Sequence, residues 1–147
     1  MLVLKKIVFW GFLIFLFSCT KDEEKVVLTT ANYQLSDLGR IPFEFMFQSI
    51  LEDKDVYTVK IRTKHIRTND SINSIEAFVE RNKLYIYITS LPYDSIWWNP
   101  DTTRFTIHDL NFNLYGLKYG KYEVDININN VRDKDSNFIY DFPKTNL

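Results

Sequence analysis

Apolar and polar residues alternate with a period of two along most of this chain, the pattern of strands with one face buried and one wet. Phe43, Phe45 and Phe47 share one parity against Glu44, Met46 and Gln48. Tyr57, Val59 and Ile61 alternate with Thr58, Lys60 and Arg62, and His65 continues their parity near the strand end. Ile75, Ala77 and Val79 lead through Arg81, Asn82 and Lys83 to Leu84, Ile86 and Ile88. Asn82 tolerates a left-handed backbone, so a hairpin is expected there. Phe105 and Ile107 keep one parity while Leu110, Phe112 and Leu114 keep the other, which predicts a bulge or turn near His108 and Asp109. Tyr122, Val124, Ile126 and Ile128 form the cleanest strand, and Phe138, Tyr140 and Phe142 the last. No window carries useful helical spacing. The expectation is an all-β chain, a single antiparallel sandwich of about seven to nine strands.

Composition agrees. The chain has 12 Phe, 9 Tyr and only 4 Gly, a β-leaning balance. Its one cysteine, Cys19, excludes an internal disulfide, so the hydrophobic core must hold the fold alone.

The N-terminus departs from the alternation. Lys5 and Lys6 precede an apolar run over residues 7–17, then Ser18 and Cys19, then the charged stretch Lys21, Asp22, Glu23, Glu24 and Lys25. A positive start, a short apolar stretch and a small residue are the layout of a secretory signal. The run is too short for a membrane span, which needs about twenty apolar residues. A plain cleaved signal would leave Cys19 as an idle thiol in an oxidising compartment. Leu16, Ser18 and Cys19 resemble the lipobox of bacterial lipoproteins, with Phe17 bulkier than usual at its position. The resemblance implies lipidation of Cys19 and a membrane partner reached through the acyl chains, about 0.8 kcal/mol per buried methylene. The acidic residues after it resemble the export signal of Bacteroidota-type surface lipoproteins, which implies an outer-membrane, surface-exposed location. The organisation expected is a signal peptide over 1–18, a lipidated Cys19 with an acidic linker over 19–25, and one domain over 26–147. Loss of Lys5 and Lys6 with the leader takes the formal charge from −1 to −3, which argues against nucleic acid as a partner.

The run from Leu117 to Val124 resembles the Leu-x-x-Gly-x-Tyr-x-Val entry to a late strand in immunoglobulin-like sandwiches. By that resemblance Leu117 plugs the core, Gly120 permits the turn and Tyr122 makes a tyrosine corner.

Chemistry is sparse. His65 and His108 are the only histidines, and no Gly-x-Ser-x-Gly elbow accompanies them. Asp133, Asp135 and Asn137 have the alternate spacing of a calcium loop, but Phe138 and Lys144 stand where that loop needs glycine and glutamate. A polar turn fits them better, and neither metal nor cofactor is expected. Lys60, Arg62, Lys64 and Arg67 form a basic stripe that a solvated strand face explains. The segment 91–104 holds adjacent Trp97 and Trp98 between prolines and aspartates. Exposed indoles there would stack on a sugar or anchor a protein, with Tyr85 and Tyr87 extending the platform, whereas a loop folded over an open end of the sandwich would bury one of them. The reading is a non-enzymatic binding or accessory module for a glycan or envelope protein. An assembly component using sheet edges is the alternative, and a small hydrolase the weaker one.

Overall fold

The computed structural model describes residues 24–66, 70–91 and 106–144. Among them lie eight strands and no helix: β1 (Val26–Asp37), β2 (Met46–Asp53), β3 (Val56–Thr63), β4 (Ser71–Glu80), β5 (Lys83–Leu91), β6 (His108–Tyr115), β7 (Gly120–Ile128) and β8 (Asn137–Phe142). They form one mixed sheet in the order β2-β3-β6-β1-β4-β5-β7-β8, coiled nearly into a barrel. The alternating residues of β3, β5, β6 and β7 fill it: Val59, Ile61, Leu84, Ile86, Leu110, Phe112, Leu114 and Val124 are wholly buried.

β1 makes the coil possible. Its first residues pair with β4, from Val26↔Val79 to Leu28↔Ala77. The rest pairs with β6, from Thr29↔Tyr115 to Asp37↔His108. Within the β6-paired part the register slips between Ala31 and Gln34, and Asn32 takes a left-handed backbone at φ 54°. A bulge of this kind bends a strand and increases its twist. Here it follows closely on the change of partner from β4 to β6 between Leu28 and Thr29. The Thr30 hydroxyl donates to the Ile75 carbonyl beside the bend.

The end strands β2 and β8 share no ladder among the described residues and meet through side chains. Phe45 and Phe47 approach Phe138 at 5.7 and 5.1 Å, and Phe47 lies 4.8 Å from Tyr140, centroid to centroid. Tyr57 packs edge-on against Phe142 at 5.2 Å. Such pairs contribute about 0.5–1.5 kcal/mol each beyond their burial. The Ser49 backbone N–H donates to the Tyr140 hydroxyl at 3.0 Å, and the Tyr57 hydroxyl donates to the Pro143 carbonyl at 2.8 Å.

Four expectations are corrected. The sheet is not wholly antiparallel, because β5 and β7 run parallel from Lys83↔Glu123 to Ile88↔Ile128. Between them the chain crosses to the other wall as β6, so two reversals bring it back beside β5 in the same direction. The bulge near His108 and Asp109 is absent. β6 keeps unbroken register with β3 from Val56↔Tyr115 to Thr63↔His108, and the slip lies in β1 opposite. Ile107 is buried from the connection before β6, so it need not keep the strand's parity. In the β4–β5 hairpin Arg81, rather than Asn82, takes the left-handed position, at φ 58°. Finally, β2 begins at Met46, so Phe43 and Phe45 precede the strand.

The connections sort by pole. The β2–β3 and β4–β5 hairpins and the short β6–β7 loop lie at one end, where the chain also enters at Glu24 and leaves at Lys144. Residues 38–45, 64–66, 70, 106–107 and 129–136 lie at the other.

Candidate functional site

Residues of β5 alternate between the core and an outer face. Leu84, Ile86 and Ile88 are buried, so Tyr85 and Tyr87 point out. Phe78 of β4 is the cross-strand partner of Tyr85. The three rings are nearly parallel: Phe78 to Tyr85 at 4.8 Å and 19°, Phe78 to Tyr87 at 5.8 Å and 10°, Tyr85 to Tyr87 at 6.5 Å and 11°. The Lys25 ammonium sits 3.5 Å above the Phe78 ring and the Lys83 ammonium 5.2 Å from that of Tyr85. These half-buried rings form one parallel stack, with the Lys25 ammonium over the face of Phe78 and that of Lys83 beside Tyr85.

Tyr85 also walls an open groove of about 1040 Å³ that runs between the Arg81–Asn82 turn and β8. Asn82, Lys83, Lys121, Glu123, Asn137 and Ile139 line it. Lys83 reaches Glu123 at 3.0 Å and Asp125 at 3.4 Å. The Glu123 carboxylate raises the Lys83 pKa, and Lys83 in turn holds Glu123 below its usual range. The Asn137 amide donates to Glu123 at 3.1 Å. The groove therefore offers an aromatic wall beside a fixed set of donors and acceptors.

A second polar cluster closes the pole of long connections. Asn129, at φ 52°, is buried. Its amide accepts from the Ser90 N–H at 2.9 Å and donates to the His65 carbonyl at 2.8 Å and to Ser90 Oγ at 2.9 Å. Ser90 Oγ donates to Asp70 at 3.2 Å. His65 Nε2 lies 2.9 Å from Asp133, whose carbonyl accepts from Ser136. One asparagine side chain thus ties the ends of β3, β5 and β7 together.

The remaining expected residues are separated. His108 is buried and faces inward, and neither ring nitrogen has a hydrogen-bond partner among the described residues. Asp109 faces the other way, to Arg62 at 2.8 Å and Lys60 at 2.9 Å. The Arg62 hydrogen bond holds its carboxyl below the usual value. Lys60 and Arg62 are thereby spent within the fold, and Lys64 leans toward Asp133 at 3.8 Å and the Phe43 ring at 4.6 Å. Asp133 turns to His65 while Asn137 turns to Glu123, so the calcium-like spacing does not converge. No acidic or histidine cluster suited to a metal occurs among the described residues. Leu117 is buried, Gly120 sits at φ 137°, where glycine is favoured, and Tyr122 is half-buried 5.8 Å from Phe142. Burial raises the Tyr122 hydroxyl pKa. Cys19, Arg67, Trp97 and Trp98 lie outside the described residues.

Phe78, Ser90 and Asn129 were not anticipated from sequence. Only the outward parity of Phe78 opposite Tyr85 carried a signal. No protein-family model, curated protein or solved structure matches this chain.

Proposed function

We propose that this chain is a cell-envelope lipoprotein, anchored in the outer membrane through Cys19 and exposed at the surface, whose β domain is a non-enzymatic binding or accessory module. The aligned rings of Phe78, Tyr85 and Tyr87, continuous with the groove through Tyr85, carry this reading. Sugars stack their apolar ring faces on aromatic side chains and satisfy their hydroxyls with nearby amides and carboxylates. Asn82, Glu123 and Asn137 supply those groups here. The ligand is a glycan. The resemblance of Leu117, Gly120 and Tyr122 to an immunoglobulin-like strand entry belongs to the same proposal.

The test is retention on immobilised polysaccharides and a glycan array. The native chain is retained, and the Tyr85→Ala, Tyr87→Ala variant loses at least about tenfold in affinity, as expected when stacking of about 1.4 kcal/mol is removed. Equal retention of both proteins sinks the reading. An assembly role is the second reading, supported by Ile50 and Ile139, which lie 61% and 70% exposed on the two end strands. Co-purification with envelope proteins, abolished by Ile139→Lys, would favour it.

A further inference from the structure

We infer that the pole of short turns lies against the bilayer and uses Tyr119, Lys118, Lys121 and Lys144 to contact an anionic lipid surface. This rests on the lipoprotein reading above and adds an orientation to it. The β6–β7 loop crosses this pole with Leu117 buried beneath it and Lys118 and Tyr119 outside. Tyr119 is 59% exposed, although its ring is large and apolar. The Lys144 ammonium stands 5.2 Å from that ring, and Lys121 is exposed just beyond Gly120. The loop from Gly116 to Lys121 contains no carboxylate. Carboxylates flank it: Asp53 and Asp55 in the adjoining β2–β3 turn, where Asp53 accepts from the Lys54 N–H, Asp141 as the cross-strand partner of Lys121, and Glu24 where the chain enters. A tyrosine ringed by lysines is the amphipathic combination that settles at a headgroup boundary, ring inward and ammonium groups toward phosphate.

The tether dictates which pole is near. β1 enters at the pole of short turns, and residues 20–25 between it and Cys19 reach at most about 20 Å when extended. A strand the length of β5, 9 residues, spans about 30 Å. The leash is therefore shorter than the domain, and the pole of long connections points away from the membrane.

The experiment uses the full acylated chain in vesicles of phosphatidylethanolamine and phosphatidylglycerol. With Cys19 acylated, an introduced cysteine is the only free thiol. A fluorophore at Lys118→Cys is expected to be quenched by a headgroup-borne quencher about threefold more than one at Asn130→Cys. Adding Lys121→Glu and Lys144→Glu is expected to shrink that difference. Equal quenching at both sites, on protein whose Cys19 is shown by mass spectrometry to be acylated, overturns the orientation alone. A mass without acyl groups overturns the anchor and the orientation together.

Discussion

The two poles of the barrel are closed by different physics. At the pole of short turns, Leu117 is inserted into the core, and the backbone supplies the rest: Gly116 N–H donates to the Asp55 carbonyl at 3.1 Å and Glu123 N–H to the Asn82 carbonyl at 2.9 Å. At the opposite pole buried polar side chains do the closing, with Asn129 bridging Ser90 and His65. An apolar plug needs only volume, whereas a buried polar tie is stable only when every partner is present. The second pole can therefore carry longer connections and chemical variety, at greater risk from any single substitution.

Substitutions separate the two modes. The largest effect is expected from Leu117→Ala, which should destabilise by about 3 kcal/mol through the cavity it leaves, read as a lower urea midpoint. Asn129→Ala should cost about 2 kcal/mol, since it strands the buried Ser90 N–H. Asn129→Gly, which accepts the positive φ without strain, should cost nearly as much if the amide matters and almost nothing if the backbone alone does. Asp109→Asn, on the side wall, should cost about 1–2 kcal/mol at neutral pH. Its sign with pH follows from the depressed carboxyl. The contribution of Asp109 is complete above its unfolded value of 3.8 and disappears as pH falls through the lower folded value. The variant should lack that part of the acid transition. The smallest effect, and the opposite sign, is expected at His108. Replacing its unpartnered ring by leucine should stabilise by about 1 kcal/mol. A loss instead would show that the ring nitrogens are serving a purpose in the native chain.

The strands legible in sequence were those with one partner face throughout. β3, β5 and β7 bury Tyr57, Val59, Ile61, Leu84, Ile86, Ile88, Val124, Ile126 and Ile128 as their alternation predicts. β1 was illegible because it changes walls midway and bulges at Asn32, so its burial follows no single parity. The parallel partner of β5 was hidden for another reason. Alternation reports which residues face inward, not which strand lies alongside. Tyr85 and Tyr87 were legible as an outward pair, while their union with Phe78 required the β4–β5 register. The Asn129 tie had no signal, because an asparagine in a polar turn, here beside Asn130, looks like any other.

The parallel pairing of β5 and β7 constrains how the chain assembles. Lys83 meets Glu123 only after β6 has been laid down on the far wall and the chain has returned. Until then β5 has a bare edge, and few of the native contacts are local. Topologies of this kind refold in milliseconds to seconds rather than microseconds, and stopped-flow fluorescence would show it. That interval is when the chain is exposed to proteases and to chance pairing with its neighbours.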